Sequence, residues 1–426
     1  MNTFIRNQPP VFPVSKVTIP EASLFSLRNG IPVYMIEAGT EQIMRIEFTF
    51  RAGLAKEDTP LLASTVNIML TEGSLNYSSE ELNRLIDFYG AFIHSYNEKD
   101  RAGIVMFFLN KHIEKILGLC YEILFKPLFP DPELNALLQK RHQWHKVNRE
   151  KVQNRSIDQF FESIFGNQHP YGRQINDEDF SGINPTLLKD FHEKYYSAEN
   201  MAIIVSGRLH ERTTELLDYF FGDIPPRQSV PTSKNQTLIG STDKYVHIEK
   251  AGAVQTAIRI GSPTINKRHP DYPGLKFLDS LLGGYFGSRL MRNIREEKGL
   301  TYGISSSVSS LDQSGYKIIS TEVAPKNLQM TIDEIYSEIR ILQEVPAGNE
   351  ELSVVRNYMS GEMVRMFDGP FALSESFRSA WEFGLGNQYY NLLWEKIMTI
   401  SPDEIISLAR TYYNTDELYQ VTVGSK

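Results

Sequence analysis

The sequence predicts an α+β fold built from two homologous domains, each a mostly antiparallel sheet with helices packed on it. Three observations carry this. First, residues 183–207 and 400–424 repeat one another without a gap: a constant offset of 217 residues carries Ile183 onto Ile400, Pro185 onto Pro402, Tyr195-Tyr196 onto Tyr412-Tyr413 and Gly207 onto Gly424. A repeat near half the chain length means two copies of a domain, not a solenoid. Second, strand-like runs come in blocks followed by helical patterns, which is the α+β arrangement rather than a wound parallel sheet. Third, residues 223–242, DIPPRQSVPTSKNQTLIGST, are rich in Pro, Ser, Thr and Gln and read as a linker. The domains are then 1–222 and 243–426, each of ordinary single-core size.

Within the first domain, Leu24–Glu37 and Met44–Arg51 read as adjacent strands. Pro60 opens a helix through Leu70, closed by Gly73. Ser78 and Glu81 form a capping box, and Leu82, Leu85, Ile86 and Tyr89 follow at helical spacing until Gly90. Phe92–Tyr96 and Gly103–Leu109 read as strands, His112–Leu124 and Glu133–Val152 as helices. The first repeat copy adds a capped helix and an apolar strand ending at Gly207. The second domain repeats the order: strands in 244–262, a helix over 271–282, strands to about 323, three helices and a final strand.

Composition narrows the function. Lys and Arg total 44 against 52 Asp and Glu, a net charge of −8, which disfavours a nucleic-acid partner. The basic run from Lys140 to Arg155 reads as a solvated helix face. The single cysteine, Cys120, excludes an internal disulfide framework and any cysteine-based zinc site, and fits a reducing compartment. No apolar stretch approaches the roughly 18 residues of a membrane span. Prolines stand where a signal peptide has its apolar core, so the expected location is cytoplasmic; a periplasmic location stays open for a chain that has lost its signal. No P-loop, dinucleotide fingerprint or nucleophile elbow is present.

The stretch 283–310, GGYFGSRLMRNIREEKGLTYGISSSVSS, organises the second domain. A glycine pair opens it, Leu290, Met291 and Ile294 share a helical face, and Gly299 ends the helix. This places Arg295, in the last turn, close to Tyr302 at the start of the next strand. A guanidinium and a phenol so placed can grip a peptide carbonyl and stabilise charge developing on it. The same residues also fit plain structural roles, Arg complementing a helix C-terminus and Tyr populating a strand.

These residues carry a resemblance over nearly the whole chain. The run from Arg292 to Tyr302, R-x-x-R-E-E-K-G-L-T-Y behind a Gly-Gly pair, resembles the second-domain signature of the insulinase–pitrilysin family of metallopeptidases. That family includes the mitochondrial processing peptidase and the core subunits of the cytochrome bc1 complex. His169-Pro170-Tyr171-Gly172-Arg173 and the run from Tyr195 to Gly207 resemble its first-domain landmarks. The resemblance implies two halves facing each other around a chamber that encloses unfolded peptides.

It also implies a zinc site that this sequence breaks. Active members carry H-x-x-E-H on a first-domain helix: two His bind zinc, the Glu activates water, and a Glu well downstream completes the shell. Aligned on Gly73-Ser74, the two ligand positions hold Ser64 and Ile68, and the base position holds Asn67. Isoleucine cannot bind zinc and asparagine cannot take a proton. The downstream ligand position falls near His145, with Glu150 the nearest following carboxylate. His142 and His145 share a helix face without an evident third ligand, and His192-Glu193 starts a zincin-like motif that Tyr196 breaks. Neither metal nor other cofactor is expected in this chain. Arg295 and Tyr302, by contrast, match the family's substrate-holding pair. Gly90–Asn97 matches the edge strand on which family substrates pair by β-addition.

The combination suggests the zinc-less subunit of a heterodimeric processing peptidase. Zinc would reside in a partner, a paralogue with an intact motif, and the substrate would be an extended peptide. A catalytically inactive structural or peptide-binding member of the family is the alternative. A self-sufficient peptidase would need ligands the sequence does not display.

Overall fold

The computed structural model describes residues 19–225 and 239–426. The first half opens with strands β1 (Ser23–Ser26), β2 (Pro32–Glu37) and β3 (Ile43–Phe50), then helices α1 (Leu62–Met69) and α2 (Ser79–Phe88). Strands β4 (Phe92–Asn97) and β5 (Ala102–Leu109) lead into α3 (Ile113–Phe125), α4 (Asp131–Arg149) and α5 (Val152–Phe165). Helix α6 (Pro185–Tyr195), β6 (Met201–Gly207) and α7 (Thr213–Phe221) complete it. The second half runs β7 (Tyr245–Glu249), β8 (Thr256–Thr264), α8 (Tyr272–Asp279), two π-helical turns (Ser280–Gly284 and Met291–Glu297), β9 (Thr301–Ser310) and β10 (Gly315–Val323). Then come α9 (Leu328–Glu344), α10 (Asn349–Arg365), α11 (Gly369–Trp381), α12 (Gln388–Thr399), α13 (Pro402–Tyr412) and β11 (Tyr419–Gly424).

The first sheet has the order β1-β2-β6-β3-β5-β4 and the second β7-β11-β8-β10-β9. Among the described residues only β2 with β6 and β7 with β11 pair in parallel; every other pair is antiparallel. This is the predicted α+β, two-sheet fold. Much of the linker read at 223–242 lies outside the described residues. Among the described residues no helix is long and apolar enough to cross a membrane.

Several details differ from the sequence reading. Leu24–Glu37 is not one strand but a hairpin, closed by the Leu27 N–H bond to Ile31 O at 3.0 Å. β2 and β3 are not neighbours, because β6 inserts between them. The repeat's terminal strand thus lies inside each sheet with a neighbour on both sides, and its apolar run is buried on both faces. α4 ends at Arg149, since Lys151 is extended, and a separate α5 follows. After β10 there are five helices instead of three: the chain turns at Val345–Gly348, at Gly369 with φ +88°, and again before α12.

The consequential difference is an exchange of helices. In β3, Met44, Ile46, Phe48 and Phe50 enter the first core, so the alternation places Arg45, Glu47 and Thr49 on the opposite face. That face is also buried, because α11 of the second half lies across it, Tyr34 packing on Phe377 and Trp381 and Phe107 on Phe371. Reciprocally, α5 of the first half lies on the outer face of the second sheet, where Phe160, Ile164 and Phe165 pack with Ile318, Val421 and Val423. Burial contributes roughly 2 kcal/mol for each such side chain, so the halves are locked together. The fully buried Glu47 is held by Arg45 at 2.7 Å and by Arg378 of α11 at 3.4 Å.

Candidate functional site

Helix α1 carries the three positions the sequence singles out. It is short and apolar, and Leu62, Ala63, Val66 and Met69 tie it into the first core. Its first turn is satisfied from outside: the Glu57 carboxylate accepts the Ala63 N–H at 2.8 Å, and burial pushes this carboxyl up to about 7. Asn67 points inward and is fully buried; its Nδ2 donates to Gly103 O at 3.2 Å and to the Tyr196 hydroxyl at 3.3 Å. Ser64 and Ile68 lie one turn apart, both half-buried.

The space in front of Ser64 is taken by Arg141 of α4. Its guanidinium donates to Ser64 Oγ at 2.8 Å and to Thr65 Oγ1 at 2.6 Å. Arg141 belongs to the basic run read as a solvated face; the structure corrects that reading for this residue. Sequence inspection missed it, although its position one turn before His145 puts both on one helix face. His145 packs on Phe180, its Nε2 is buried without a hydrogen-bond partner, and burial lowers its pKa, keeping the ring neutral. His142 stacks on the same Phe180 ring at 4.7 Å and bonds Asp177 at 2.9 Å. Glu150 is turned away and pairs with Lys250 of the second half at 2.7 Å. His192 is buried, bonded to Leu124 O and stacked on Tyr196, a packing role. Among the described residues no group of three or more His, Cys, Asp or Glu is placed to hold a metal.

The chemistry of this donor set does not fit zinc. A ligand position must offer a lone pair, and a nearby guanidinium repels a dication. Here a serine hydroxyl already accepts from Arg141, an amide nitrogen faces a backbone carbonyl, and an isoleucine fills the last place.

The second-half pair is arranged differently. The π-helical turn Met291–Glu297 ends with Leu300 N–H bonding Ile294 O, and Gly299 at φ +63° swings the chain into β9. Arg295 Nε donates to the backbone oxygen of Tyr302 at 3.0 Å, and its guanidinium lies over the Phe286 ring, 4.5 Å from the centroid. The two residues thus meet through Tyr302's carbonyl, not through its phenol. The Tyr302 side chain stands 92% exposed, and Phe286, which the sequence did not flag, is 62% exposed. The terminal nitrogens of Arg295 make only a 4.0 Å contact with Glu296, so they remain available as donors. Phe286, Arg295 and Tyr302 form one open cationic-aromatic patch.

The predicted edge strand within Gly90–Asn97 is β4, the outermost strand of the first sheet, paired among the described residues only with β5 and lying beside α1. No strand among the described residues pairs with its outer backbone edge, the geometry β-addition requires.

A family model described as the peptidase M16 inactive domain matches residues 182–359. The uncharacterized zinc protease YmxG of Bacillus subtilis is 21% identical over 345 residues, covering 80% of this chain and 83% of that protein. The mitochondrial-processing peptidase subunit alpha-1 of Dictyostelium discoideum is 25% identical over 240 residues, 53% of this chain and 36% of that one. A crystal structure of a peptidase M16 inactive domain from Pseudomonas fluorescens superposes with a TM-score of 0.84 at 21% identity, covering 95% of this chain and 98% of its own.

Proposed function

The chain belongs to the insulinase–pitrilysin family of peptidases, and from that premise we propose that it is the non-zinc subunit of a heterodimeric peptidase. It supplies Phe286, Arg295 and Tyr302 to a site whose zinc is held by a paralogous partner. The observation that carries this reading is the contrast within the chain. At the metal positions Arg141 caps Ser64, Asn67 is buried on Gly103 O and the Tyr196 hydroxyl, and Ile68 offers no lone pair, whereas the Arg295–Tyr302 pair is open to solvent with unpaired donors. A residue that only packed would not leave its phenol exposed.

In this reading the chain binds an extended peptide through the free edge of β4 and through the cationic patch. Arg295 Nη and Tyr302 Oη donate to the carbonyl oxygen of the bond to be cut, stabilising negative charge where it develops. Both residues bind and orient; the nucleophile and its activation belong to the partner. The support from relatives is that one of them, the Dictyostelium discoideum protein, is a subunit of a mitochondrial-processing peptidase.

The test is hydrolysis of a quenched-fluorescent peptide library by the chain alone and mixed with an H-x-x-E-H relative, with and without chelator. The expected outcome is silence alone and chelator-sensitive cleavage in the mixture. Arg295→Ala should lower that cleavage about a hundredfold, and Tyr302→Phe about tenfold. Chelator-sensitive cleavage by the chain alone would overturn the proposal. Stable association without cleavage would favour a second reading, a catalytically inactive peptide-binding member. One contact favours that alternative: Arg295 Nε is engaged inside its own chain, on Tyr302 O.

A further inference from the structure

The two halves treat one place in opposite ways. The repeat-related tyrosines mark it. Tyr196 Oη receives the Asn67 hydrogen bond from α1 at 3.3 Å, and Tyr413 Oη lies 3.5 Å from Asp279 at the end of α8. These matched contacts put α1 and α8 in correspondence, so that Lys276 stands where the first half has Ser64. In the first half Arg141 fills the space in front of that position. In the second half the space is open: a cavity of about 680 Å³ runs between α8, β9, α10 and α12 and reaches residues 98–101 of the first half.

The charges on its wall are unequally partnered. Among the acids, Asp279 accepts from Ser306 Oγ at 2.5 Å, Glu98 and Glu382 hold Arg378 at 3.0 and 3.1 Å, and Glu362 pairs with Arg365 at 3.0 Å. Asp100 takes the Tyr171 hydroxyl and the Asp312 N–H, and Asp312 in turn faces Arg268. Among the cations, Lys267 donates to Ser379 O at 2.8 Å and Arg101 contacts Glu382 at 3.5 Å. Lys99 bonds Tyr171 O at 2.8 Å. Lys276 is the most loosely held of them: its Nζ pairs with Asp279 at 3.8 Å and donates to Val308 O at 3.5 Å, both long contacts that leave donor capacity facing the cavity. Met359, Met363, Leu393 and Ile397 give the same cavity an apolar wall, with methionines able to repack around a chain of irregular shape.

We infer that this cavity is a binding site for a monocarboxylate carrying an apolar chain. The carboxylate sits on Lys276 Nζ, and the chain lies against Met359, Met363 and Leu393. The acids on the wall are already committed to partners, so they do not offer a matching anchor for an ammonium ligand. An acyl carboxylate and the C-terminal residue of an apolar peptide share this chemistry. The inference concerns the chain alone and does not depend on the proposed partner.

Isothermal titration of the full chain with decanoate tests it, with decylamine as the charge-reversed control and tri-leucine, free or amidated at its C-terminus, as the peptide arm. One saturable site for decanoate or free tri-leucine is expected, with at least tenfold weaker binding in Lys276→Met and binding within about threefold of the parent in Lys276→Arg. Free tri-leucine binding while decanoate does not would assign the peptide source, and the converse the acyl source. No saturable binding of either carboxylate would overturn the inference. So would equal affinity for decylamine, or an unchanged affinity in a folded Lys276→Met chain.

Discussion

Asn67 and Asp279 occupy matched places in the two halves, each reaching a tyrosine of the repeat, yet their surroundings have diverged. Around Asn67 every neighbour closes the site: Arg141 caps Ser64 and Thr65, and Glu57 holds the start of α1. Around Asp279 the helix contacts persist, with Ser306 in place of a backbone carbonyl, but nothing comparable to Arg141 covers the space beyond. The difference teaches how a duplicated fold distributes work. One copy has been sealed into structure and the other keeps its openings, the cavity behind β9 and the patch at Arg295 and Tyr302.

If the first position is sealed for stability, its charges must register in stability, and Glu57 gives the largest expected effect. Its folded pKa is raised to about 7 from the ordinary 4.5, so the folded state binds a proton more tightly than the unfolded state. The contribution is therefore fully present below about pH 4.5 and is lost as pH rises through about 7, amounting to roughly 3 kcal/mol. Urea unfolding at pH 5 and pH 8 should show the parent chain losing stability relative to Glu57→Gln by that order. A pH-independent difference would mean that the Glu57 carboxyl is better solvated than its burial implies.

Arg141→Ala comes next, at about 2 kcal/mol, because it leaves the hydroxyls of Ser64 and the fully buried Thr65 without their donor. Chemical denaturation of the variant measures this directly. A loss below about 0.5 kcal/mol would show that the guanidinium does not seal the position, and the contrast between the halves would fail at its first member.

How much of this was legible in the sequence divides along the range of the interactions. The repeat, the Ser78–Glu81 capping box and the Gly299 turn that brings Arg295 to residue 302 are local, and each stood in the sequence as it stands in the fold. Arg141 was invisible because its partners lie on α1, far along the chain, and a basic run gives no sign of which residue faces inward. The exchange of α5 and α11 was equally hidden. Arg45, Glu47 and Thr49 alternate with apolar residues as on any half-exposed strand, and only a helix from the other half buries them. Phe286 went unnoticed since nothing marks an aromatic residue beside a glycine as a platform for an arginine nine residues on.

Asn67→Ala and Asp279→Asn sharpen the comparison further. Asn67→Ala removes two donors from a dry site and strands Gly103 O and the Tyr196 hydroxyl, which should cost about 1–2 kcal/mol at any pH. Asp279 is fully buried, and burial raises its carboxyl above the usual range, so ionising it opposes folding. Asp279→Asn should therefore gain on the parent as pH rises. Parallel denaturation series across pH distinguish the two; a flat profile for Asp279→Asn would place a stabilising charge there and remove the asymmetry.

The smallest expected effect concerns the open patch and is the most discriminating. Tyr302 is 92% exposed, so Tyr302→Phe should change the chain's own stability by less than about 0.5 kcal/mol. Arg295→Ala gives up one hydrogen bond to Tyr302 O and a contact with the exposed Phe286 ring, about 1 kcal/mol at most. A pair retained for packing would show the opposite order, a marked loss of stability with no other consequence. Thermal unfolding of the two variants, set beside turnover of the same variants in the mixed assembly, separates the cases without assuming either. A phenol that costs the fold almost nothing to alter, yet whose hydroxyl is needed for cleavage, is one held out for something that is not part of this chain.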